Sequence, residues 1–278
     1  MYAPSQIAER YSEAGGAKTR FSISKTFVMA MFAGMFISFG AFGSQVAAVD
    51  AGGESLARFI SALVFPIGLF MVIMTGAELF TGNNLIVISV LDKKATIKGM
   101  LKNWAISYLG NFAGSILVAI LLTYGHAYSL FGGRLAQTAV TAAQNKALMS
   151  FPDALFKGIL CNILVCIAVW VSYSAEEVAG KIIGLYLPIL LFVISGFEHC
   201  VANMFLVPAG IFVSGEYGIV ADSLTWYRFL LHNLLPVTIG NVIGGACIVG
   251  MGYWFLYLKR EETDKLQYVN KKDKECKD

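Results

Sequence analysis

Two short stretches decide how this chain is read: Gly76–Leu85, GAELFTGNNL, and Gly196–Phe205, GFEHCVANMF. Gly76, Glu78 and Asn83 align with Gly196, Glu198 and Asn203 at one constant offset, and each stretch follows an apolar run with a proline, Pro66 or Pro188. Both are polar, glycine-bearing interruptions, Thr75 to Asn84 and Ser195 to Asn203, in apolar segments (57–91 and 182–214) too long for one simple crossing. About 20 helical residues cross a bilayer. Each segment is therefore expected to be a helix that breaks inside the membrane. Broken backbone at that depth is tolerated only where protein buries it or a cavity hydrates it.

The repetition extends outward. Asn103, Gly110, Asn111 and Gly114 match Asn233, Gly240, Asn241 and Gly244, again at one offset, and Gly34 matches Gly158 more weakly. Each copy holds three apolar segments, an odd number, so the second copy enters the membrane from the opposite side. Such an inverted repeat places its solute site near the midplane, at the paired interruptions. The glycines four apart allow close helix packing, and Asn111 and Asn241 are expected to satisfy backbone groups freed by the breaks.

Composition agrees. Of 278 residues, 57% are hydrophobic and 14% charged, against about 25% charged in soluble domains. The pattern predicts an all-α membrane protein with six spans at 27–49, 57–91, 102–124, 154–173, 182–214 and 228–258. They form a single pore domain: a first repeat over 27–140, a second over 150–258 and a charged cytoplasmic tail over 259–278. If both termini are cytoplasmic, 16 of the 21 Lys and Arg fall on the inside, a positive-inside bias. The N-terminus lacks a cleavable signal pattern. The net charge of +3 and the absence of a basic stripe argue against nucleic acid as a partner. The five cysteines, with no CxxC pair, read as buried and structural. No HExxH, P-loop or GxSxG stands behind an enzyme reading, and no cofactor or metal is expected.

Few residues inside the spans carry chemistry. His199, beside the second interruption, is either a packed core histidine or a pore-lining group, and its place in a broken helix favours the pore. Thr81 offers a hydroxyl to a passing anion, to His199 or to its own helix. An exposed carboxylate would repel anions, so Glu78 and Glu198 are expected to tie up backbone N–H groups at their breaks. Lys18, Lys146 and Lys157 lie near span ends, where lysine either snorkels or focuses anions. Phe65, Leu79, Phe80 and Phe192 flank the interruptions as packing or as dry constrictions.

GAELFTGNN, SGFEHCVANM, PVTIGNVIGG and, in the fourth span, KGILCNILVCIAVWVSYS together resemble the formate/nitrite transporter family over about residues 8–260. The run after Thr81 is most similar to its hydrosulfide-channel branch. Glu78 departs from the aspartate of some formate-branch members. The resemblance implies an aquaporin-like fold, a homopentamer in the inner membrane and one pore per subunit. It implies His199 and Thr81 at the centre, constrictions at Leu79, Phe80, Phe65, Phe192 and Val165 with Asn162 nearby, and Lys18 and Lys146 at the entrances. It also implies transport of small weak-acid anions (hydrosulfide first, then formate and nitrite) through a channel or a proton-linked transporter. Two dry constrictions would enclose a chamber where the anion crosses as its neutral acid, with His199 as proton donor and Thr81 orienting it. A neutral-solute channel of the aquaporin kind is the alternative, although it would want NPA motifs at both breaks. A membrane enzyme using Glu198 and His199 is disfavoured, because adjacent helical residues point about 100° apart.

Overall fold

The computed structural model describes residues 1–259, so the tail expected over 259–278 lies, but for Lys259, outside the described residues. The described chain is helical: α1 (Pro4–Thr19), α2 (Ile23–Ala48), α3 (Glu54–Val64), α4 (Pro66–Thr75), α5 (Phe80–Asn83), α6 (Ile86–Leu91), α7 (Ile97–Tyr124), α8 (Arg134–Ala147), α9 (Phe151–Ser174), α10 (Val178–Ile194), α11 (Cys200–Glu216) and α12 (Trp226–Tyr257). Helix starts carry their expected caps: Ser22, Thr96 and Ser150 accept the N–H groups of Lys25, Gly99 and Asp153, a contact worth about 1 kcal/mol.

Five helical stretches are long and apolar enough to cross a membrane: α2, α3 with α4, α7, α9 and α12, with mean hydropathy between 1.7 and 2.2. The segment expected as a broken fifth span is α10 and α11, 17 residues each, each marginal for a crossing alone. Leu109 and Leu121 on α7 and Ile183, Leu187 and Leu191 on α10 are exposed, as a lipid-facing surface requires.

The breaks are tighter than the sequence suggests. Non-helical backbone covers Gly76–Leu79 and Ser195–His199, with a further turn at Asn84–Leu85 between α5 and α6, because Asn83 and Asn203 donate their N–H groups to the carbonyls of Leu79 and His199 and so re-enter helix at once. Gly76 and Gly196 end the preceding helices with φ of 71° and 68°, a left-handed conformation that glycine adopts without steric cost.

Glycine also sets the helix packing. A Cβ on Gly114 of α7 would stand 2.0 Å from the Met31 carbonyl oxygen of α2, and one on Gly244 of α12 would stand 2.2 Å from the Ile159 carbonyl oxygen of α9. The α2–α7 and α9–α12 pairs thus approach backbone to backbone at matching repeat positions. Within α12, π-type turns over Phe229–Leu234 and Ile243–Gly250 break the resemblance to the regular α7.

Two helices outside the expected spans carry the lysines. Helix α1 lies across one end of the bundle. Its Tyr11 hydroxyl donates to the Gly82 carbonyl at 3.0 Å, its Ser12 hydroxyl to Asp92 at 2.6 Å, and Lys94 pairs with its Glu13 at 2.8 Å. Helix α8 packs on α11, where a Cβ on Gly210 would meet that of Ala143 at 2.3 Å. They bring Lys18 and Lys146 to the two breaks.

Candidate functional site

The breaks are built from the same contacts twice. After α4 the N–H of Glu78 donates to the Met29 carbonyl, and after α10 the N–H of Glu198 donates to the Lys157 carbonyl, both at 3.3 Å. Asn111 accepts the Phe80 N–H at 2.9 Å and donates to the carbonyls of Ala30 and Glu78 at 2.8 and 3.0 Å. Asn241 accepts the Cys200 N–H at 2.9 Å and donates to the carbonyls of Gly158 and Glu198 at 2.7 and 3.0 Å. A buried amide bond left unmade costs about 1–3 kcal/mol. Each asparagine closes two groups that the missing turn leaves open, an N–H and a carbonyl, and ties the break to a carbonyl of the neighbouring helix, Ala30 of α2 or Gly158 of α9.

The glutamates act differently from expectation. Glu78 accepts the side-chain amides of Asn83 and Asn103 at 2.7 and 3.1 Å and pairs with Lys18 at 3.0 Å. Glu198 accepts Asn203 at 2.7 Å and pairs with Lys146 at 2.7 Å. Their carboxylates hold side chains and not the backbone N–H groups of the breaks. Each lysine, expected at an entrance, has its charge balanced by a carboxylate that is at most 5% exposed. Such a charge is stable in a dry interior only when paired. The two sites differ in detail: Lys18 also donates to the Asn83 side-chain amide oxygen at 2.9 Å, whereas the corresponding Asn203 oxygen is buried without a partner among the described residues, and Asn103 donates to Glu78 where Asn233 donates to the Lys146 carbonyl.

Between the breaks, the Thr81 hydroxyl oxygen lies 2.8 Å from Nε2 of His199, and both residues are buried. His199 caps α11, with Nδ1 accepting the Ala202 N–H at 3.1 Å. A nitrogen that accepts carries no proton, so the neutral ring holds its proton on Nε2 and donates it towards Thr81. The threonine hydroxyl is left to donate onward. Giving up the Nε2 proton would leave an imidazolate in a dry site, and placing a second proton on Nδ1 would break the cap. The arrangement suits His199 as a neutral donor better than as the proton donor anticipated from sequence.

Asn162 lies deeper. Its amide donates to the carbonyls of Thr81 and Asn241 and to the side chain of Asn84, at 3.3, 2.7 and 2.8 Å. It ties the two repeats together beside the pair.

Of the expected constriction residues, Phe65, Phe192, Leu79 and Val165 surround one void of about 10 Å³ that His199 also borders and whose exposed lining is wholly apolar. The Phe65 and Phe192 rings meet edge to face with centroids 5.6 Å apart. Phe80 is placed elsewhere, against Tyr108 and Trp104 at 5.0 and 6.3 Å. The expected constriction residues other than Phe80 thus border the same apolar slot, with His199 at its edge and Thr81 bonded to His199. On the Lys18 side, Leu69 and Leu79 connect this void to a neck of about 40 Å³. The neck shares Lys18, Ala77 and Tyr173 with a vestibule of about 270 Å³. Arg10, Tyr11, Tyr173 and Lys181, which line this funnel, were not singled out from sequence. Only the spacing of Tyr11 and Lys18, seven residues apart and so on one face of a helix, could have indicated them.

The family profile described as "Formate/nitrite transporter" matches residues 5–255. The chain is 37% identical to the "Formate channel FocA" of Escherichia coli, over 94% of this chain and 96% of the relative. It is 36% identical to a "Probable formate transporter" of Methanothermobacter thermautotrophicus, over 92% and 97%. Among solved structures, a "Pentameric formate channel with formate bound" superposes with a TM-score of 0.76 at 35% identity, over 85% of this chain and 98% of that one. An "FNT family ion channel" superposes with a TM-score of 0.82 at 28% identity, over 90% and 98%. The chain belongs to the formate/nitrite transporter family.

Proposed function

We propose that this protein is a multi-pass inner-membrane pore that passes small monovalent weak-acid anions together with a proton, each subunit of a homopentamer carrying its own path. The observation that carries this reading is the Thr81–His199 pair, whose histidine borders an apolar void of about 10 Å³. A bare anion entering such a slot loses its hydration, at a cost of tens of kcal/mol in the ideal limit. The neutral acid avoids most of that cost, and the Thr81 hydroxyl, freed by the donation from His199, offers it a hydrogen bond. The proton comes with the substrate from water at the funnel. Hydrated cations are barred by the same apolar walls.

The paired contacts at Asn111 and Asn241 and at Glu78 and Glu198 support an aquaporin-like inverted repeat with six crossings, the second and fifth broken. The loop charges support cytoplasmic termini, which places the funnel at Lys18 on the cytoplasmic side. The relatives' names favour formate as substrate. The resemblance to the hydrosulfide branch rests on Gly82, Asn83 and Asn84, but Asn83 is bound to Glu78, Asn103 and Ser107 and Asn84 to Phe80 and Asn162. Those amides serve the scaffold, so the run carries little information on substrate. Flux into proteoliposomes tests the assignment: formate, nitrite and hydrosulfide should each enter faster than into protein-free vesicles, with formate competing against hydrosulfide. Equal entry with and without protein would refute it.

A further inference from the structure

The vestibule on the Lys18 side is larger and more cationic than a formate-sized solute needs. It encloses about 270 Å³ and is lined by Arg10 from α1, Lys18, and Lys181 from α10, with Ser172 and Tyr173 between them. Lys18 is neutralised by Glu78, while Arg10 and Lys181 form no ion pair among the described residues. Among the described residues the cavity therefore presents two positive charges outside any ion pair, with Glu177 one helical turn before Lys181 at the start of α10. The Arg10 guanidinium rests 3.9 Å above the Tyr2 ring. Tyr2 is fixed in turn by its N–H bond to the Ser174 carbonyl at 3.0 Å, so Arg10 is held at the rim instead of trailing into solvent. The nearby carboxylates Glu9 and Glu13 line the adjoining surface groove, which Arg10 also borders, and Glu13 is engaged by Lys94.

We propose that this vestibule binds a small dianionic oxyanion, of the sulfate or hydrogen-phosphate type, which plugs the pore from that side. The proposal rests on the pore reading above. Two cations match a charge of minus two, and attraction scales with the product of charges, so a dianion is held more strongly than formate. Arginine presents a planar fork suited to paired oxyanion oxygens, and Tyr173 adds a hydroxyl. The dianion cannot continue. The neck beyond holds about 40 Å³ and the apolar slot about 10 Å³, and a dianion has no accessible neutral form to shed its hydration cost. Mouth and slot thus select differently: the mouth for charge, the slot for the ability to become neutral. A lipid phosphodiester has similar oxygens but one charge, which makes the free ion the better match.

The test uses full-length protein in phosphatidylcholine vesicles at low ionic strength, with sulfate on both faces and chloride replacing it at equal ionic strength in the control. Sulfate should slow formate flux in a saturable way. The R10Q/K181Q double variant should need about tenfold more sulfate for the same fractional block, each preparation being referenced to its own sulfate-free flux. Calorimetric titration of the detergent-solubilised protein with sulfate reads the site independently of conduction and should show the same weakening. Binding that R10Q/K181Q leaves unchanged, or no binding at all, would overturn the proposal. Sulfate binding without any formate flux would instead overturn the pore reading and leave the site standing. Added phosphatidylglycerol should leave the sulfate block in place; abolition of the block by that lipid would make the headgroup the occupant and overturn the free-ion assignment.

Discussion

The hydroxyl oxygen of Thr81 and Nε2 of His199 meet at 2.8 Å, linking the helix that follows one break to the residue that caps the helix after the other. The first break has Leu79 and Thr81 where the second has His199 and Val201. The scaffold contacts are duplicated, but the hydrogen-bonding pair is made once, between the copies.

His199 has two separable duties. His199→Asn keeps a side-chain acceptor for the Ala202 N–H, since asparagine is a strong N-cap, but is too short to reach Thr81. His199→Phe removes both contacts. Unfolding in detergent should place the Asn variant close to wild type and the Phe variant about 1 kcal/mol below it, while both slow formate flux. A wild-type rate in the Asn variant would show that the pair takes no part in permeation.

The Lys18–Glu78 pair predicts a non-additive double mutant. Lys18→Met strands a carboxylate that is 1% exposed. It should cost about 2–3 kcal/mol of stability, less than a wholly buried pair would, because the Lys18 side chain keeps 21% of its surface in water. Adding Glu78→Gln removes the stranded charge and should recover most of the loss. If the double variant is as unstable as the sum of the singles, packing rather than charge explains Lys18.

Helix contact at the matched glycines is testable with an internal control. Gly114→Ala and Gly244→Ala push a methyl group into the backbones of α2 and α9 and should each cost about 1–3 kcal/mol. Gly252, on the outer part of α12, has nothing within 4 Å of an added Cβ, so Gly252→Ala should be neutral or slightly stabilising. Equal effects at all three positions would mean that helix propensity, not close approach, governs them.

How much of this was legible in the sequence follows from range. The breaks could be read because Glu78, Asn83, Glu198 and Asn203 are conspicuous in apolar surroundings, and Asn111 and Asn241 because they recur at one offset. The partners of Lys18 and Lys146 could not, since Glu78 and Glu198 lie far away in the chain and only tertiary packing brings them within 3.0 Å. Phe80 and Phe65 looked alike as bulky neighbours of the breaks, yet helix α5 turns Phe80 toward α7 while Phe65 faces Phe192. The capping role of His199 required the extended backbone just before α11, with φ of −107° and ψ of 115°. A string of residues does not display that. Helix α1 falls outside the expected spans, because Arg10 and Tyr11 resemble an ordinary surface until they are seen closing the funnel.

The central claim is that the solute crosses the apolar slot as a neutral acid, and flux against pH for formate and chloride tests it most directly. Proteoliposomes with matched internal and external pH would be compared from about pH 8 down to about pH 5, with protein-free vesicles at every step to subtract leakage of the free acid. The range spans histidine titration and lies above the carboxylic-acid range. Protein-dependent formate flux should rise steadily as pH falls, following the growing fraction of formic acid, while chloride, the anion of a strong acid, passes poorly throughout. Chloride crossing as fast as formate, with a flat pH profile for both, would contradict the claim and leave size alone as the basis of selection.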